Sequence, residues 1–167
     1  GATFTAPDTL ILTASSTLTG AGTITVATLN LTDLALTLAS TNLTVTNAVT
    51  LNVLAEQIIS GTNDLILSAA PVMSNGSITS TGGSVTLQGT PTGGTLTLGG
   101  TTLILIGNLD TTATAFTAPA NLTLSANATL TTTAALSITT LSLGDFALTL
   151  GNDLTVANAV TFDNANE

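Results

Sequence analysis

The sequence predicts an all-β protein, a parallel β-solenoid of about eight or nine coils. Three observations predict it. Apolar residues alternate with Thr, Ser or Asn at period two. Clusters of Gly, Asn and Asp separate these runs. A long stretch of the chain recurs in order.

The alternating runs can be taken along the chain. Thr9-Leu10-Ile11-Leu12-Thr13 comes first, then Thr23-Ile24-Thr25-Val26, Leu34-Ala35-Leu36-Thr37-Leu38 and Leu43-Thr44-Val45-Thr46. Val85-Thr86-Leu87, Leu96-Thr97-Leu98 and Leu122-Thr123-Leu124 follow. Period two puts successive side chains on opposite faces of a strand. Thr, Val and Ile suit a pleated, half-buried surface. Gly20-Ala21-Gly22, Gly61-Thr62-Asn63-Asp64, Asn75-Gly76, Gly82-Gly83, Gly93-Gly94, Gly99-Gly100 and Gly151-Asn152-Asp153 fall between the runs. These residues turn the chain cheaply. Apart from short apolar runs such as Val53 to Ile59, nothing has helical period.

The repeat is long. Phe4-Thr5-Ala6-Pro7 returns as Phe116-Thr117-Ala118-Pro119, and Leu10 and Leu12 return as Leu122 and Leu124. Ala35-Leu36-Thr37-Leu38 returns as Ala147-Leu148-Thr149-Leu150, all at an offset of 112. One residue is then lost, and Asn47-Ala48-Val49-Thr50 returns as Asn158-Ala159-Val160-Thr161 at offset 111. Residues 2–56 match 114–167 within one domain, 1–167, and Glu56 aligns with Glu167. Strand starts near Leu10, Leu29, Leu43, Leu65, Val85, Leu103 and Leu122 lie 19, 14, 22, 20, 18 and 19 residues apart. Read as one coil per step, the repeat is six coils long. Phe4 and Phe116, with Pro7 and Pro119, then sit at equivalent corners, and the whole rod is ~40 Å long.

The alternative is a β-sandwich of Thr-rich strands. A sandwich fills a layer about 10 Å thick with large inward residues, and this chain has four Phe and no Trp or Tyr. Stacked coils place like over like, so Leu, Ile, Val and Ala suffice. The expected core includes Leu10, Leu12, Leu36, Leu38, Leu122, Leu124, Leu148 and Leu150. Low charge suits stacking, because like charges on neighbouring strands repel.

Ser77 to Gly89, Ser-Ile-Thr-Ser-Thr-Gly-Gly-Ser-Val-Thr-Leu-Gln-Gly, resembles the coil of filamentous-haemagglutinin-type and autotransported adhesins. Asn121-Leu122-Thr123-Leu124-Ser125-Ala126 is similar to it as well. The resemblance implies a right-handed β-helix shaft of a large bacterial exoprotein. The chain departs from that family in its total lack of Lys and Arg and in showing no secretion-domain motif.

Composition excludes several functions. With Lys+Arg 0, His 0 and a net charge of -9, nothing grips phosphate or an acidic membrane, so neither nucleic acid nor membrane insertion is expected. Cys 0 and His 0 remove thiolate, imidazole and zinc chemistry. The absence of Cys says nothing about redox compartment. No run of about 18 apolar residues occurs. The start, Gly1 to Phe4, lacks a signal-peptide pattern, so a secreted chain would have lost its leader or be an excerpt.

Nine acids remain for catalysis. They lack the aromatic platforms and bases that accompany paired carboxylates in glycosidases, so no enzyme is expected. Asp64, Asp153 and Asp163 are the turn carboxylates with calcium-ligand chemistry. The Gly-Gly-x-Gly-x-Asp pattern is absent, and solvated turn residues explain them more simply. Asn30, Asn42, Asn75, Asn121 and Asn127 begin Asn-x-Ser/Thr sequons, candidate glycosylation sites in an extracellular protein. Thr17/Thr19, Thr23/Thr25, Thr44/Thr46 and Thr95/Thr97 form Thr-x-Thr pairs, as on ice-binding solenoids, but at irregular phases.

The expected function is structural: an extracellular or cell-surface β-solenoid, either an adhesin shaft or the subunit of a filament. It has no basic residue for a trypsin-like protease to cut. The competing expectation is a binding module whose flat Thr/Asn face takes ice, glycan or mineral. Neither end resembles a polar cap, so self-stacking or further repeats are the expected partners.

Overall fold

The computed structural model describes residues 7–162 and contains only strands, turns and connections in that range. Eight coils stack as a parallel β-solenoid. Each coil passes through three faces. The first three coils are regular: β1 (Thr9–Ile11), β2 (Ser16–Thr19) and β3 (Thr23–Val26); β4 (Thr28–Asn30), β5 (Ala35–Ala39) and β6 (Asn42–Val45); β7 (Thr50–Leu51), β8 (Gln57–Gly61) and β9 (Leu65–Leu67). The fourth has β10 (Val72–Met73), β11 (Ser77–Ser80) and β12 (Ser84–Gly89). Beyond it come β13 (Thr95–Thr97), β14 (Thr102–Asp110), β15 (Ala115–Thr117), β16 (Asn121–Leu124), β17 (Ala128–Thr131), β18 (Leu136–Ser142), β19 (Leu148–Leu150) and β20 (Leu154–Thr161). The long strands β14, β18 and β20 run around a corner and serve two faces each.

The first face holds β1 paired with β4, β7 with β10, and further on the end of β14 with β17 and β17 with β19. The second is the six-stranded sheet β15-β13-β11-β8-β5-β2. The third is continuous through all eight coils, in the order β20-β18-β16-β14-β12-β9-β6-β3. All pairings are parallel, as coils wound in one direction require.

In-register stacking builds the core from columns. On the third face Ile24, Leu43, Leu65, Val85, Leu103, Leu122, Leu141 and Val160 lie one above another. On the second, Leu36, Ile58, Ile78, Leu96 and Phe116 do the same. Of the expected core residues, Leu12, Leu36, Leu38, Leu122 and Leu124 are buried. Leu10 in the first coil is half-buried, Leu148 in the last coil is half-buried, and Leu150 is exposed. Leu10 and Leu148 pack against that core, so the expectation is corrected for Leu150 alone. Inward direction comes from alternation, but burial also needs a coil on each side.

The repeat is not a whole number of turns. Copy two forms the strands of copy one: β16 matches β1, β17 matches β2, β18 matches β3 and β4, β19 matches β5, and β20 matches β6 and β7. Yet β1 lies on the first face of coil one, whereas β16 lies on the third face of coil six. The offset therefore spans five turns and two thirds, which corrects the six-coil expectation. The step of 14 residues from Leu29 to Leu43 crosses only two faces, whereas each other step completes a turn. Phe4 lies outside the described residues. Pro7 is exposed and Pro119 buried, so these two prolines are not equivalent.

Candidate functional site

The candidate surfaces among the described residues are the outward columns and a groove on the first face. The third face presents two outward columns. One reads Thr23, Asn42, Asp64, Ser84, Thr102, Asn121, Thr140 and Ala159. The other reads Thr25, Thr44, Ile66, Thr86, Ile104, Thr123, Ser142 and Thr161. The second face adds Thr17, Thr37, Ile59, Thr79, Thr97 and Thr117. The outward columns stand in register, but the Thr-x-Thr pairs do not stack pair on pair. Thr23/Thr25 lies against Asn42/Thr44 on the third face and Thr17/Thr19 against Thr37/Ala39 on the second, so Thr44/Thr46 and Thr95/Thr97 are each two residues out of phase with the pair on their own face. Insertions between coils sit in the turns, and this is what hides the register in the linear spacing.

The first column is tied by side chains. Asn42 Oδ1 accepts the Asp64 N–H at 2.9 Å. Asp64 Oδ1 accepts both the N–H and the hydroxyl of Ser84 at 2.8 Å. Farther along, Asn121 Nδ2 donates to Thr102 Oγ1 at 3.4 Å, and Thr140 Oγ1 donates to Asn121 Oδ1 at 2.6 Å. These bonds pair polar groups of neighbouring coils at a half-buried surface.

The calcium candidates do not converge. Asp64 lies in this ladder. Asp153 is exposed in a corner, its N–H held by Asn152 Oδ1 at 2.8 Å. Asp163 lies outside the described residues. Among the described residues no three His, Cys, Asp or Glu side chains come together.

The sequon residues divide. Asn42 and Asn121 are half-buried ladder members. Asn30, Asn75 and Asn127 are exposed. Asn30 Oδ1 accepts the Thr32 N–H at 3.1 Å and its hydroxyl at 3.2 Å, while Asn127 Oδ1 accepts the Ala147 N–H at 2.8 Å. Asp110 repeats the Asn30 turn with a carboxylate. Thr112 donates to it through N–H at 3.0 Å and hydroxyl at 2.7 Å, and these bonds hold its pKa below the ordinary 3.8.

Glu56 has a role that its place in the sequence does not signal. It is buried, and its Oε2 accepts the N–H groups of Asn52 at 2.6 Å and Val53 at 3.2 Å. It staples the loop after β7 and lines a groove of about 420 Å³ on the first face, with Thr28, Asn30, Asp33 and Asn52. A carboxylate four residues after Asn52 was the only available clue.

No described strand lies beyond the last coil. Leu150 and Val160 are 41% exposed and Phe162 is 63% exposed, although Leu150 and Val160 continue inward columns. β20 is an edge strand with a row of backbone groups facing away from the stack. Among the described residues no helix is long and apolar enough to cross a membrane. Comparison with protein-family models, with curated proteins and with solved structures gives no match.

Proposed function

We propose that the chain is a structural element of an extracellular or cell-surface assembly: a length of adhesin-like shaft, or the subunit of a self-assembling filament. The in-register stack carries this reading: parallel pairing runs through all eight coils of the third face, and each strand repeats the inward and outward pattern of the strand before it, as a shaft requires. Such a stack lengthens by the pairing of further coils, and copies joined head to tail make an open filament. The chain has no Lys or Arg, which removes trypsin-like cleavage sites from an exposed fibre. Electron micrographs of the purified protein test the reading. Filaments, or rods that lengthen with concentration, are the expected result; single short rods at every concentration argue against the filament form.

The register of the outward columns favours a second reading, a binding module whose flat third face takes ice, glycan or mineral. Depletion of the protein from solution by ice, insoluble polysaccharide or mineral tests it. Under this reading Thr44→Lys and Thr123→Lys together abolish depletion and leave thermal unfolding nearly unchanged.

A further inference from the structure

The two copies of the repeat hold the same pair of strand segments in two arrangements. In copy two β18 pairs with β20, with Thr140 opposite Ala159, Leu141 opposite Val160 and Ser142 opposite Thr161. The counterparts in copy one are Thr28 and Ala48, Leu29 and Val49, and Asn30 and Thr50. Yet β4 and β7, which carry them, do not pair. On this face the main-chain bonds between the two coils stop at Asn47 N–H to the Ala27 carbonyl, 2.9 Å, and resume at Gln57 N–H to the Leu34 carbonyl, 3.4 Å. Between these points lies the groove lined by Thr28, Leu29, Asn30, Ala48, Thr50 and Glu56.

Both strands are intact on their other sides. Thr28 N–H donates to the Asp8 carbonyl, and the Asn30 carbonyl accepts Leu12 N–H. The Val49 and Leu51 carbonyls accept Val72 and Ser74 N–H. Main-chain groups of successive residues in a strand point to opposite neighbours, so those of Leu29 and Thr50 face each other across the groove. The turn after β4 does not explain the gap. Thr32 and Asp33 have φ 53 and 63, and Gly144, the counterpart of Thr32, has φ 63. Glu56 is the group that stands at the gap. It is buried, lines the groove, and holds the N–H groups of Asn52 and Val53 where the chain leaves β7.

We propose that the first face between coils two and three is a joint of the rod. It is open with the Glu56 carboxylate latched to the loop after β7, and it closes in the register of β18 and β20. At the same level β5 pairs with β8 and β6 with β9, so the second and third faces act as the hinge. Closing pairs the main-chain groups of Leu29 and Thr50 across the seam in place of water. The joint belongs to the rod itself, whatever the rod assembles into.

Hydrogen exchange of the full chain tests it. The Leu29 and Thr50 amides should exchange about tenfold or more faster than that of Val72, which is bonded to Val49. Glu56→Leu removes the latch and should slow both by about tenfold. Glu56→Gln keeps an acceptor oxygen and should leave them fast. Protected Leu29 and Thr50 in the unaltered chain overturn the open state, and unchanged exchange in Glu56→Leu overturns the latch. Thermal unfolding shows whether each variant folds; if Glu56→Leu does not, a crosslink decides. The chain has no Cys, so Asn30→Cys with Thr50→Cys introduces one pair of thiols. The closed register sets them opposite each other, as Ser142 is to Thr161, at a strand spacing that a disulfide can bridge. Mild oxidation should join them and protect the Leu29 amide. No crosslink under conditions that join Ser142→Cys with Thr161→Cys, or a crosslink that leaves Leu29 fast, overturns the closed state.

Discussion

Leu38 and Leu150 occupy the same place in two copies of one sequence, yet Leu38 is 3% exposed and Leu150 is 41% exposed. Leu43 is buried and Leu154 half-buried; Leu51 is buried and Phe162 is largely exposed. The strands themselves form in both copies, β5 as β19 and β6 within β20. Local sequence is therefore sufficient for strand and facing, and the neighbouring coil supplies the burial. An inward Leu contributes ~2 kcal/mol when fully covered and correspondingly less when one side is open.

The largest separation between the copies is expected from a buried charge. Leu43→Asp places a carboxylate in a column with no cation anywhere in the chain, at a cost of ~3 kcal/mol or more. Leu124→Asp, equally buried, behaves the same way. Leu154→Asp, at the open end, should cost less than half as much. Thermal unfolding of the three variants measures this; equal losses for Leu43 and Leu154 would break the comparison.

Truncation gives a smaller version of the same contrast. Leu38→Ala is expected to lose about 2–4 kcal/mol and Leu150→Ala less than about 1 kcal/mol, read from denaturant midpoints. A third test concerns the covering coil. A Cβ at Gly76 would lie 2.5 Å from the Glu56 carbonyl oxygen and 2.9 Å from Leu51 Cβ. Gly76→Ala should cost ~1–3 kcal/mol by pushing the fourth coil off the third. At Gly99, by contrast, an added Cβ meets nothing within 4 Å, so Gly99→Ala should be neutral within ~0.5 kcal/mol.

The smallest effect is a titration. Asp110 has a folded pKa below its ordinary 3.8, first through the Thr112 N–H and then through the Thr112 hydroxyl. A depressed carboxylate pKa adds stability above the unfolded pKa and loses it as pH falls through the folded one. The loss sets in as pH falls toward 3.8 and continues below it. Thr112→Val should move the Asp110 pKa upward, measured by carboxyl carbon shifts in an NMR titration; an unmoved pKa would assign the shift to something other than the hydroxyl.

Columns were legible from alternation because a parallel stack carries the inward and outward pattern of one strand to the next unchanged. Ile24, Leu43 and Val85 stand in alternating runs and face inward, whereas Leu65-Ile66-Leu67 is a continuous apolar run that alternation alone does not orient. The faces were not legible. Leu29 to Leu43 and Leu103 to Leu122 both look like strand-to-strand steps, and only the closing of the coil decides whether a step is a full turn. Asp64 read as a turn carboxylate because its partners, Asn42 and Ser84, are 22 and 20 residues away. Nothing local links them. Glu56 was hidden for the opposite reason. Its partners are close in sequence, but a loop that folds back on its own carboxylate has no periodic signature.

The fractional turn count of the repeat gives the rod a symmetry. Advancing by five turns and two thirds rotates each copy by a third of a revolution while raising it ~27 Å at ~4.8 Å per coil. Iterated, this is a threefold screw: any one strand reappears on each of the three sides in succession and returns to its own side after ~80 Å. Such a rod would have no preferred side. Neighbours lying alongside would meet equivalent surfaces from three directions, and a bundle would scatter with an axial period near the longer spacing.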